Sequence, residues 1–207
     1  MKVTLGNPHQ YYTILLDIMG RISGVNLQNI VRCTERPSGK RVAFTGYRPQ
    51  KLPFGFNESD PRCDLFKARL NETIEGLYEE GFRHFISGGA LGFDTFAAEA
   101  VLKLKHLCPD TILEMVSPYD GQADQWTFEN RIRHDWLFQQ ADIVTVVGHL
   151  YSKSCMLRRN RYMVDNADLV LAAYNGLPGG TAATVAYADA LRVPVRVFWP
   201  YPARIAV

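Results

Sequence analysis

From Arg41 onward, short apolar runs alternate with stretches whose apolar residues recur every three to four positions. The runs are Arg41–Thr45, Phe82–Ser87, Thr111–Val116, Asp142–Val147, Ala167–Tyr174 and Val193–Trp199. Being apolar on both faces, they suit strands buried inside a parallel sheet. Between the first two, Phe66, Leu70, Ile74, Leu77 and Tyr78 form one helical stripe from Asp64, and Gly81 stands where a C-terminal cap belongs. Phe96, Val101, Leu102 and Leu104 carry a second helix to about Leu107. Gln125–Gln140 reads as a third, with Trp126, Ile132, Trp136 and Leu137 to bury. Cys155–Asn166 and Ala182–Leu191 read as the last two. Strict strand–helix alternation over Arg41–Trp199 predicts an α/β, Rossmann-like fold, a mainly parallel sheet with helices on both faces.

The first 40 residues break this rhythm. Tyr11, Ile14, Leu15, Ile18, Met19 and Ile22 fall at helical spacing around Gly20, and Arg36–Lys40 is punctuated by Pro37 and Gly39. Residues 1–40 are expected to be an N-terminal extension and linker, and 41–207 the Rossmann-like domain. Leu52–Cys63, rich in proline, glycine and polar residues, is expected to be a long surface loop.

Composition narrows the function classes. With 207 residues, 47% of them hydrophobic, the chain can bury a sizeable core. A net charge of +2 gives no global pull toward polyanions, so a nucleic-acid partner is not expected. The four cysteines, Cys33, Cys63, Cys108 and Cys155, form no CxxC pair, and the histidines show no ligand spacing, so no metal centre is expected. No run approaches the roughly 20 apolar residues of a membrane span, and a cytoplasmic location is expected. The oligomeric state is left open, a homo-oligomer included.

In such a sheet, ligands sit outside the carboxyl ends of the strands. Two glycine turns there run directly into helices: Ser87-Gly88-Gly89-Ala90-Leu91-Gly92-Phe93-Asp94 and Gly179-Gly180-Thr181. Unpaired amides at a helix start favour an anion, and glycine lets it approach the main chain. A phosphate is the expected guest. Thr45, Gly46 and Arg48 close the first strand, where Arg48 can meet the same ligand or remain solvated. Asp94 suits a helix start as a cap, or reaches a ribose hydroxyl. In the run Arg158-Arg159-Asn160-Arg161, Arg158 and Arg161, three apart on one helix, can converge as an anion clamp or form an exposed basic face. Trp126 and Tyr119 are candidates for base stacking or for the core rim. No GxSxG elbow, P-loop lysine or paired-acid motif signals hydrolysis.

Val42-Ala43-Phe44-Thr45-Gly46-Tyr47-Arg48-Pro49, the Ser87–Asp94 turn, Gln125-Trp126 and Asn160-Arg161-Tyr162-Met163-Val164-Asp165 together resemble the YpsA-like family of the SLOG superfamily. The resemblance covers about Arg41–Trp199 and implies a nucleotide or ADP-ribose-like ligand, and two phosphate-type turns without a recognisable catalytic set make a sensing or regulatory role the expectation. Thr45, Gly46, Arg48, Ser87, Gly88, Gly89, Gly92, Asp94, Arg161, Gly179, Gly180 and Thr181 are the expected ligand residues; the cofactor is otherwise unknown. The superfamily also holds the LOG phosphoribohydrolases and the DNA-binding DprA proteins, which makes N-glycosidic cleavage and single-stranded DNA binding the alternatives. LOG enzymes place a catalytic glutamate after their Pro-Gly-Gly turn. Pro178–Ala186 contains no carboxylate, so a hydrolase would have to use Asp94 or Glu99.

Overall fold

A computed structural model describes residues 39–201; the helix expected around Tyr11–Ile22 lies outside them. The elements are β1 (Lys40–Gly46), α1 (Pro61–Glu79), β2 (Phe82–Ser87), α2 (Phe93–Leu107), β3 (Ile112–Ser117), α3 (Phe128–Gln140), β4 (Ile143–Val146), α4 (Cys155–Asp165), β5 (Leu169–Ala173), α5 (Gly180–Ala190) and β6 (Val195–Val197). Every strand pair is parallel, in the order β4-β3-β2-β1-β5-β6. The expected alternation is therefore present.

Alternate strand residues divide the core into two halves, as the pleat requires. Val42, Phe44, Phe85, Leu113 and Leu171 face α1 and α2, where Phe66, Leu70, Phe93 and Phe96 are buried. Ala43, Ile86, Val116, Val170 and Ala172 face Met163 and Val164 of α4 and Val185 and Ala188 of α5. The first half is aromatic: Phe44 lies 6.0 Å from Phe93, edge to face, and Phe66 lies 5.0 Å from Phe198.

Local chemistry moves several boundaries. α1 starts three residues before Asp64 because Asp60 accepts from the Arg62 amide and Pro61 occupies the first helical position. α3 starts at Phe128 rather than Gln125, since Thr127 caps it. The segment after β1 is not wholly a surface loop, because Leu52 and Phe54 are buried and Phe54 packs 5.7 Å from Phe66. α3 departs most from its pattern. Of Ile132, Trp136 and Leu137, only Leu137 is buried.

Candidate functional site

The order of strands turns back at β1: β2, β3 and β4 lie to one side, β5 and β6 to the other. A parallel sheet that reverses in this way opens a crevice outside the carboxyl ends of the strands at the reversal. β2 and β5 both flank β1, so the two glycine turns leave the same sheet edge, about 10 Å apart. Between them lies the exit of β1. Its residue Tyr47 is fastened to both sides: its amide donates to Ala173 O (3.0 Å), its carbonyl accepts from the Phe93 amide (3.2 Å), and its hydroxyl donates to Asn175 Oδ1 (2.7 Å) while accepting from the Leu177 amide (3.2 Å).

The two turns are built differently. Ser87, Gly88, Gly89, Ala90, Gly92 and Asp94 are buried. The Gly89 amide donates to Ser87 Oγ (3.3 Å) and the Ala90 amide to Asp94 Oδ2 (3.4 Å). These donors are already engaged within the protein. Gly92, at φ +93°, passes so close to Tyr47 O that a Cβ would stand 2.6 Å from it. Gly46 lacks a Cβ for a similar reason, since one would overlap the Phe93 ring. By contrast, Gly179 and Gly180 are exposed, and α5 begins without a side-chain cap. Thr181 is 8% exposed. Lys51 reaches across from the β1 exit and donates to Pro178 O (2.8 Å).

Beneath the crevice sits Arg159, 4% exposed, at the Cys155–Arg159–Met163 spacing that turns inward from α4. It donates through Nη1 to the carbonyl of Gly88 and through Nε to Asn160 Oδ1 (2.9 Å), and its Nη1 lies 3.8 Å from Asp94 Oδ2. Gln122 Nε2 donates to the same Gly88 carbonyl (3.2 Å). Burial pushes the Asp94 carboxyl up, opposed by the Arg159 charge, the Ala90 amide and the Arg48 charge. It likewise pushes Arg159 down, opposed mainly by Asp94. The carbonyl of Arg48 accepts from the Lys51 amide (2.9 Å), whereas its side chain is exposed and makes no hydrogen bond among the described residues. Its charge nevertheless reaches both members of the buried pair.

Of the two readings of Arg158 and Arg161, the clamp does not form. Arg158 donates to Ser152 Oγ (3.1 Å), whereas Arg161 lies over the Tyr187 ring at 5.3 Å, against α5. Arg159, which lies between them in sequence, is the arginine that reaches the glycine turn. Thr45 is 8% exposed and lies under Asn160 and Thr184 in a gap too tight for water. Trp126 stacks edge-on to His134 (5.2 Å), and Tyr119 pairs with exposed Tyr151 (5.4 Å) farther along the same edge. Glu99 is held by Arg133 at 2.6 and 2.8 Å. Neither carboxylate considered for bond cleavage is presented at the rim.

An open depression of about 570 Å³ lies at the opposite sheet edge, beside Lys40, Glu80, Asp168 and Arg196. Its polar groups are already matched: Arg196 grips Glu80 at 2.8 Å twice, and Asp168 accepts from the Arg41 amide (2.7 Å). It lacks the glycine turns and the reversal of strand order, so the crevice at β1 is the candidate site. Among the described residues there is no group of three or more His, Cys, Asp or Glu that could hold a metal ion, and no helix long and apolar enough to cross a membrane.

The YpsA family model, described as the YspA SLOG family, matches residues 42–191. The chain belongs to this family. It is 32% identical over 166 residues to a UPF0398 protein of Lacticaseibacillus casei, covering 77% of this chain and 86% of that one. A UPF0398 protein of Bacillus pumilus is 30% identical over 138 residues, 66% of this chain and 74% of the relative. Among solved structures, DNA processing protein A of Helicobacter pylori, described for its single-stranded DNA binding mode, superposes with a TM-score of 0.57 at 22% identity, over 82% of this chain and 68% of that one. DNA processing protein A of Streptococcus pneumoniae gives 0.55 at 19% identity, over 81% of this chain and about half (52%) of its own. At such identities the likeness is one of fold. It does overturn the expectation drawn from net charge: a fold shared with a single-stranded DNA binder gives no ground for setting nucleic acid aside.

Proposed function

We propose that this SLOG-family protein binds the phosphate end of a nucleotide or nucleotide derivative at the β1–β5 crevice, as a sensing or regulatory module. The observation that carries the reading is the uncapped start of α5, exposed at Gly179 and Gly180, with the unbonded Arg48 side chain on the adjoining strand exit. Helix-start amides and a guanidinium are the donors a phosphate oxygen takes. The buried turn at Gly88–Gly92 then serves as the wall that holds Arg48 and the β1 exit in place. With Asp94 buried beside Arg159 and Glu99 held by Arg133, binding rather than bond cleavage is the favoured role.

Isothermal titration with AMP, ADP-ribose and NAD tests this. At least one is expected to bind, and Arg48→Ala to weaken it about ten-fold or more, the loss of a charge-assisted hydrogen bond. No heat with any of the three, or an unaltered affinity in the variant, would refute the reading.

A second reading, single-stranded nucleic acid, is favoured by the Tyr119–Tyr151 pair and Arg158, which extend the same edge past β3 and β4. Aromatic platforms beside cations are what single strands use.

A further inference from the structure

α3 buries Leu137 against the core as a surface helix does, yet it carries charged groups on its inward side and large apolar ones on its outward side as well. Its inward side holds Arg133, gripped by Glu99 and by Glu58 at 2.5 Å, and His134, wedged against Trp126 and Phe138. Its outward side carries Phe128, Ile132 and Trp136, 70%, 53% and 46% exposed. Spaced four apart, these three stand one above another along a single line. Isolated exposed apolar residues need no explanation, but an aligned row of three large ones marks a contact surface.

Beside the row stand Arg131 and Asp135, both exposed and also four apart. The Arg131 side chain has no partner among the described residues, and Asp135 meets only its neighbour His134, at 3.1 Å. A row with an apolar centre and one positive and one negative residue on the same flank is complementary to itself. Laid antiparallel about a two-fold axis beside Ile132, two such helices set Phe128 against the second copy's Trp136. The same operation brings like flanks together, so Arg131 of each copy faces Asp135 of the other. We propose that the protein associates with a second copy of itself through α3, the Phe128–Ile132–Trp136 row forming the contact and Arg131–Asp135 pairs setting its register. The three side chains and their flanks cover on the order of 1,000 Å² across two copies, which places the association at the weak, micromolar end.

Sedimentation equilibrium of the full chain across the micromolar range tests the proposal. The mass is expected to rise from 23.4 kDa toward twice that value. Ile132→Asp should leave a monomer with an unchanged circular dichroism spectrum. Arg131→Asp and Asp135→Arg should each weaken association about ten-fold, and the double reversal should restore it, because the pairs re-form with exchanged sign. A full chain that stays monomeric overturns the proposal, including the case in which another segment of the same chain covers the row. So does a dimer indifferent to Ile132→Asp, or one that the double reversal fails to rescue.

Discussion

Arg159 lies across Gly88, 71 residues away in sequence, and donates to its carbonyl at a point where any Cβ would overlap the guanidinium. The glycine there is required by a side chain of the protein itself. Gly88→Ala is therefore expected to displace Arg159 from Asp94 and to lower stability by about 2–3 kcal/mol, read as a lower urea midpoint. Gly180, where a Cβ meets nothing, should accept alanine with a change within about 0.5 kcal/mol.

Arg48 and Arg159 separate the two kinds of basic residue at the crevice. Arg48→Ala should leave the thermal midpoint almost unchanged, since the side chain is exposed and unbonded. Arg159→Ala should lower it sharply, because Asp94 would remain buried without its cation. Differential scanning calorimetry of the two variants would distinguish them, and equal losses would contradict this division.

Tyr47→Phe keeps the ring between Lys51, Tyr174 and Trp199 but deletes the hydroxyl that holds Asn175 and Leu177. The loss should be about 1 kcal/mol. Faster hydrogen exchange at the Leu177 amide, with other amides of the sheet unaffected, is the specific sign.

On the α4 face, Glu114 accepts from His84 Nε2 (2.7 Å), Thr145 Oγ1 (2.8 Å) and Tyr162 OH (2.9 Å) while nearly fully buried. Burial alone raises its pKa, but the His84 bond and charge and the two hydroxyls pull it further the other way, below the ordinary 4.5. A lowered carboxyl stabilises the fold above its unfolded pKa and loses that contribution as pH falls through the folded value. Stability should therefore fall with acid below about pH 4.5. Glu114→Gln should flatten that slope in pH-dependent denaturation while costing about 2–3 kcal/mol at neutral pH.

For the nucleic-acid reading, fluorescence anisotropy with a labelled oligonucleotide should show binding that weakens steeply with salt. Tyr151→Ala should reduce it by about 1–3 kcal/mol, the worth of one stacked base. An absence of binding even at low salt would remove this reading.

Much of the fold is legible in the residues because period and composition change together at each boundary: Phe66–Leu70–Ile74–Leu77 cannot form a buried strand, nor Ile112–Val116 a surface helix. The positions of the two turns follow from the same alternation. What escapes is the partnering of polar groups. Arg159 reads as one of a charged run, yet its spacing from Cys155 and Met163 is the inward one, and that stripe was the available signal. His84 and Glu114 sit in apolar strands whose register only the sheet reveals. On α3 the period correctly marks a helix and Leu137 is buried, while Arg133 and its two glutamates share that inward side and Ile132 and Trp136 stay outside.

Tyr47 ties three neighbouring backbone segments at one point, through its amide, carbonyl and hydroxyl. A mouth braced in this manner is already shaped before any guest arrives. Little conformational freedom is left there to be surrendered on capture, and selectivity among guests becomes a matter of shape and donor placement rather than of closure.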